Sequence, residues 1–88
     1  MPYTYIVKCA DDTLYTGWTV DLEKRLAAHN GGIGAKYTSR RVPVVLVYWE
    51  WQENQSTAQK REASIKRLPR CKKMDLIHEF IRSNATNL

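Results

Sequence analysis

The sequence predicts an α+β fold, a three-stranded antiparallel sheet flanked by helices in the order ββαβαα, and three observations carry that expectation. Two short runs of β-branched and aromatic residues open the chain with a pair of aspartates between them. One nearly unbroken apolar run follows a glycine-rich stretch in the middle. Further segments space their apolar residues three and four apart, the period of a helix that buries one face.

The first run, Tyr3 to Lys8 (YTYIVK), and the second, Leu14 to Trp18 (LYTGW), form a hairpin turned at Asp11 and Asp12. Side chains alternate across a strand, so Tyr3, Tyr5 and Val7 share one face, and Tyr15 and Gly17 share a face of the second strand. Two tyrosines are thereby placed to meet on one surface. In DLEKRLAAHN, Asp21 is an N-cap candidate, Leu22 and Leu26 lie four apart, and Gly31 and Gly32 stop the helix. Arg25 and His29 repeat that spacing, which sets them side by side next to the leucine stripe. Residues 31–43 (GGIGAKYTSRRVP) then have the composition of a surface loop with little intrinsic structure.

Val44 to Trp51 (VVLVYWEW) is apolar almost throughout, which predicts a central strand with Trp49 in the core; Trp18 and Trp51 are further candidates for packing or for stacking on bases. Ser56-Thr57-Ala58-Gln59 fits a capping box and predicts a helix from Thr57 to Leu68, ended by Pro69. Ala58, Ile65 and Leu68 mark its buried side, and Glu62 falls on that side too. A carboxylate facing inward requires a partner or a purpose. Leu76, Ile77, Phe80 and Ile81 predict a third helix from Cys71 to Arg82, closing a single domain over residues 1–82 and leaving 83–88 as a frayed tail.

Eighty-eight residues suffice for one modest core and not for two domains. A hydrophobic share of 43% and a charged share of 26% exclude disorder and fibrous repeats. Lysines and arginines number 14 against 9 acids, a net charge of +5 that would serve solubility alone were it evenly spread. It is not. Lys60, Arg61, Lys66, Arg67, Arg70, Lys72 and Lys73 face only Glu62 in their stretch, and Lys36, Arg40 and Arg41 stand unopposed in the loop. A concentrated basic surface suits a polyanion, bound with release of counterions. Cys9 and Cys71 form no CxxC pair, which argues against a zinc knuckle and a disulfide framework and predicts two reduced thiols. With no charged leader ahead of an apolar run and no stretch of bilayer length, the expectation is a cytoplasmic protein without a membrane partner.

These motifs, in this order, resemble those of the GIY-YIG endonucleases over nearly the whole chain, and in particular those of the small single-domain bacterial branch. YTYIVKC is similar to the first motif, with Tyr5 at its tyrosine, and YTG to the second, with Tyr15 and Gly17 at its tyrosine and glycine. DLEKRLAAHN resembles the helical motif, with Arg25 at the active-site arginine and His29 at a histidine that many members have; QKREASIKRL places Glu62 at the metal-binding glutamate. Each motif alone is common, and the specificity lies in their order on strand, strand, helix and helix. Tyr3, Thr4 and Thr16 depart from the family pattern, which has Gly and Ile in the first motif and Ile in the second.

The resemblance implies a DNA endonuclease or structure-selective nuclease that hydrolyses phosphodiester bonds in repair or recombination. It implies Mg²⁺ (or Mn²⁺) at Glu62, with water and phosphate oxygens completing the octahedron. Arg25 would cover transition-state charge, Tyr5 would serve as general base if a metal or arginine favours its phenolate, Tyr15 would position water or phosphate, and His29 would relay a proton. Without the motif order each residue has a plainer account: cross-strand packing for the tyrosines, a solvated face for Arg25 and His29, an i,i+4 pair with Lys66 for Glu62. Lys36, Tyr37, Thr38, Arg40 and Arg41 in the loop, with Lys66 and Arg67, are expected to grip DNA, or RNA, through the phosphate backbone rather than to read bases. A chain without room for a separate DNA-binding domain further implies a protein partner that delivers substrate. The rival expectations are a nucleic-acid adaptor without turnover and a protein-interaction domain whose basic face meets an acidic partner.

Overall fold

A computed structural model of the protein describes residues 2–86. The elements run β1 Tyr3–Lys8, β2 Leu14–Thr19, α1 Leu22–Asn30, β3 Val45–Trp51, α2 Gln55–Lys66 and α3 Arg70–Thr86, the predicted ββαβαα order. The three strands are antiparallel in the order β2-β1-β3. The centre of the sheet is therefore β1 and not β3, a correction to the sequence reading. Four successive residues of β1, Thr4 to Val7, are at most 2% exposed because both faces and both edges of that strand are covered. Apolar continuity in β3 has another origin: Leu46 packs toward α1 and Tyr48 toward α2 and α3, while its outer edge pairs with no strand among the described residues, and Val45, Trp49 and Trp51 stay exposed. Trp49, expected in the core, is 39% exposed and caps the sheet edge, with its ring against Tyr3 and Phe80.

The core splits into two layers divided by the sheet. Tyr5, Val7, Cys9 and Val44 pack with Tyr15, Leu46 and the α1 leucines Leu22 and Leu26 on one face. Ile6 and Tyr48 pack with Ile65 of α2 and Ile77 of α3 on the other. α2 begins two positions earlier than its capping box suggested, because Asn54 and not Ser56 is the N-cap: its side-chain oxygen accepts from the Thr57 amide at 2.9 Å. Two contacts tie α2 to the sheet. Thr4 Oγ1 donates to the Ala58 carbonyl at 3.1 Å, and Arg61 donates to Glu50 at 2.7 Å. Gln52 and the Tyr48 hydroxyl also donate to the Glu50 carboxylate, and burial together with that carboxylate pushes the Tyr48 phenol up to about 12. α3 continues to Thr86, past the expected stop at Arg82; Asn87 and Leu88, the end of the expected tail, lie outside the described residues. Among the described residues no helix is long and apolar enough to cross a membrane.

Residues 31–43 have more structure than their composition predicted. The Asn30 side chain pairs with both backbone groups of Val44, at 3.2 and 2.6 Å, and closes the loop at its base. Arg41 donates to Asp11 at 3.0 Å and to the Tyr37 carbonyl at 2.7 Å, while its own carbonyl accepts from Ala10 at 2.8 Å. The Ser39 amide bonds the Ala35 carbonyl at 3.0 Å. A polar segment keeps order this way, by giving its backbone groups partners other than water.

Candidate active site

The period-two alternation of β1 sends Tyr5 to the α1 face, and the i,i+4 spacing on α1 brings Arg25 and His29 over it. The three side chains meet at the Tyr5 hydroxyl, which lies 2.8 Å from His29 Nε2 and accepts from Arg25 Nε at 3.4 Å. Tyr5 and His29 are 2% and 0% exposed. Around them Val7, Leu22, Leu26 and Leu46 close a space with no room for a water molecule. Arg25 reaches outward to a shallow depression of about 230 Å³, shared with Thr19, Val20, Asp21, Lys24 and Ala28.

Opposite Tyr5 in the β1–β2 register stands Gly17. A Cβ there would fall 2.6 Å from the Tyr5 hydroxyl oxygen and 3.2 Å from the Tyr15 ring, so the close approach of both tyrosines requires glycine. Tyr15 lies edge-on to His29 with 5.4 Å between ring centroids, as Tyr5 does at 5.9 Å, and the imidazole sits between the two phenols. α2 runs against β2 and β1 and brings up Glu62, whose charge acts on Tyr5. Glu62 pairs with Lys66 at 3.6 Å, and the Lys66 ammonium lies 5.8 Å from the centre of the Tyr15 ring. The five residues expected at the site therefore share one neighbourhood.

Burial sets the protonation of the inner pair. It raises the Tyr5 phenol above its ordinary 10.0, although Arg25 pulls the other way by hydrogen bond and by charge; Tyr15 and Glu62 add to the rise. Burial lowers His29 below its ordinary 6.5, with the Arg25 charge adding to the effect. At neutral pH the pair is a phenol beside a neutral imidazole, so proximity to arginine alone does not produce a phenolate. Among the described residues no three of His, Cys, Asp and Glu gather as a metal cluster.

The basic loop divides into two kinds of residue. Lys36 and Arg40 are exposed, as are Lys66 and Arg67 on and just after α2, and Tyr37 is 38% exposed. Thr38, expected to contact phosphates, is 0% exposed and bonds His29 Nδ1 at 2.8 Å. That correction has a plain cause: the loop folds back over α1, and its hydroxyl meets the imidazole instead of solvent. Tyr37 stacks on Tyr15 at 5.8 Å with 24° between planes, and Arg41 lies 4.1 Å above the other partner of that stack, the Tyr37 ring, while paired to Asp11. Two residues were missed altogether. Gly34 lies so close to His29 that a Cβ would come within 2.5 Å of Nδ1, and Asn30 clamps the loop base. A glycine cluster just after a helix with histidine in its last turn was the available signal for the first; Asn30 gave none.

The family profile described as the GIY-YIG catalytic domain matches residues 1–75. A UPF0213 protein of Clostridium perfringens is 60% identical over 77 residues, covering 88% of this chain and 83% of its own. Another from Syntrophus aciditrophicus is 54% identical over 78 residues, covering 88% and 90%. The solution NMR structure of a UPF0213 protein from Bacillus halodurans superposes with a TM-score of 0.57 at 39% identity, over 89% of this chain and 84% of that one. The solution NMR structure of a protein from E. faecalis gives a TM-score of 0.59 at 42% identity, over 89% of this chain and 83% of that one.

Proposed function

The chain belongs to the GIY-YIG catalytic domain family, and from that membership we propose that it hydrolyses phosphodiester bonds in DNA, as a metal-dependent endonuclease or structure-selective nuclease. One observation carries the reading: a tyrosine hydroxyl that contacts an arginine and a histidine, with Glu62 on a helix packed against the same strand. Hydrolysis requires a water oxygen to attack phosphorus, a proton to leave that water, the phosphorus–oxygen bond to the leaving alkoxide to break, and a proton to reach the alkoxide. Arg25, charged at every working pH and open to solvent on its outer side, binds the phosphate and covers the charge that builds on its oxygens. Tyr5 takes the proton of the attacking water after passing its own to His29 Nε2, which is 2.8 Å away. Tyr15, half-buried beside Gly17, positions the phosphate.

Glu62 fits a hard divalent cation. It is a partly exposed oxygen donor that, among the described residues, belongs to no cluster of three or more His, Cys, Asp or Glu, and Mg²⁺ or Mn²⁺ keeps most of its shell as water and phosphate oxygens. When bound, the ion supplies positive charge for phosphate oxygens and lowers the pKa of its water. Lys36, Arg40, Lys66 and Arg67 hold the DNA, or RNA, backbone. The setting we propose is cytoplasmic, in repair or recombination, with a protein partner presenting the substrate.

The test is cleavage of single-stranded, duplex and branched DNA by wild type, Glu62→Ala, Arg25→Ala and Tyr5→Phe, in Mg²⁺, Mn²⁺ or EDTA. We expect metal-dependent cutting that falls about 10²–10³-fold in Arg25→Ala and is lost in the other two variants. Binding without cutting in every metal, unchanged in Glu62→Ala, would leave a nucleic-acid adaptor instead.

A further inference from the structure

We propose that Thr38 is a positioning residue that selects the tautomer of His29 and so makes Nε2 the acceptor of the Tyr5 proton. The argument is a count of donors and acceptors around one buried imidazole. Thr38 Oγ1 lies 3.2 Å from the Ala35 carbonyl, which can only accept, and 2.8 Å from His29 Nδ1. A hydroxyl has one proton. If it goes to Ala35, the oxygen meets Nδ1 with a lone pair, and Nδ1 must carry the ring hydrogen. Nε2 is then bare and faces the Tyr5 hydroxyl. The Tyr5 oxygen already accepts from Arg25, so its own hydrogen is the one that points at Nε2. Every donor has an acceptor.

The reverse arrangement fails that count. With Thr38 donating to a bare Nδ1, Nε2–H would point at the Tyr5 oxygen, which Arg25 also addresses. The Tyr5 hydrogen, on a phenol 2% exposed, would have no acceptor among the hydrogen bonds of the described residues. A buried hydroxyl left in that state carries the full desolvation cost of its unmade hydrogen bond, enough to decide the tautomer. Gly34 permits the arrangement, since any side chain there would collide with the ring that Thr38 addresses.

The inference deepens the nuclease reading and rests on it for its use. In the handover the Tyr5 O–H bond breaks and an Nε2–H bond forms, giving a tyrosinate and an imidazolium whose Nδ1–H stays on Thr38. The tautomer itself is a property of the resting protein and is tested without turnover. Long-range ¹H–¹⁵N NMR on the full chain at neutral pH identifies the protonated ring nitrogen in wild type, Thr38→Val and Thr38→Ser. We expect Nδ1 protonated and Nε2 bare in wild type and in Thr38→Ser, with the proton moved toward Nε2 in Thr38→Val. In cleavage assays kcat should fall about 100-fold in Thr38→Val with KM little changed, and Thr38→Ser should restore it. A wild-type ring protonated at Nε2 overturns the proposal, as does an unchanged tautomer in a folded Thr38→Val. If Thr38→Val does not fold, the wild-type and serine spectra decide. An intact tautomer pattern in a protein that cuts no DNA removes the nuclease reading while leaving the assignment of the ring proton in place.

Discussion

At the scale of single residues, the site depends on side chains that are absent as much as on those present. Gly17 and Gly34 leave room for Tyr5 and His29 from opposite sides, and neither position tolerates a methyl group without displacing a functional ring. His29 is the one buried residue of α1 and carries a consequence for stability. Its folded pKa lies below the ordinary 6.5, so as pH falls through 6.5 the unfolded chain takes up a proton that the folded protein refuses. The stabilisation is complete above 6.5 and is lost across the window between that value and the lower folded one. Urea midpoints at pH 7.5 and 5.5 should therefore fall for wild type and fall less for His29→Gln; equal falls would assign the effect elsewhere. Strand alternation and helical spacing put Tyr5, Tyr15, Arg25, His29 and Glu62 on predictable faces, while their selection as site candidates rested on the order of the motifs. The place of Thr38 was not legible in the sequence, since its burial depends on a fold-back that no local pattern encodes.

At the scale of elements, local signals were informative and pairing signals were not. The Asp21 cap was found because carboxylate, helix start and leucine spacing lie within a few residues, and its oxygen does accept from the Lys24 amide at 3.1 Å. The capping-box pattern placed the cap of α2 at Ser56, whereas the structure places it at Asn54; the backbone at Asn54 is extended while Ser56 already lies within the helix. Substitution separates them: Asn54→Ala should cost about 1 kcal/mol in thermal or chemical unfolding and Ser56→Ala little. Because α2 carries Glu62, the same loss should also weaken cleavage. The place of β3 at the edge was beyond local reading, since a strand with apolar side chains on both faces has the same run whether one neighbour flanks it or two.

At the scale of the whole molecule, the basic charge counted from the sequence is not all available to a partner. Lys8 pairs with Asp12 at 3.0 Å, Arg41 with Asp11 at 3.0 Å, Arg61 with Glu50 at 2.7 Å and Lys66 with Glu62 at 3.6 Å. Loop and helix cations therefore should separate in a salt titration of DNA binding. Removing exposed Arg67 or Lys36 should lower the slope of log K against log salt by about 1 each. Arg41→Ala should instead lower stability, because it breaks the contact to Asp11 and the stack that backs Tyr15 through Tyr37. Equal slope changes in all three would show Arg41 acting on phosphate directly.

The central position of β1 has one more consequence. Tyr5 sits on the strand with neighbours on both sides, the backbone that opens last when a domain breathes, whereas Thr38 belongs to a loop held by a few turns and side-chain clamps. Local opening thus reaches the two ends of the Tyr5–His29–Thr38 chain unequally. The loop can come away while the sheet stays closed, and the phenol would then remain in place beside an imidazole free to carry its proton on either nitrogen.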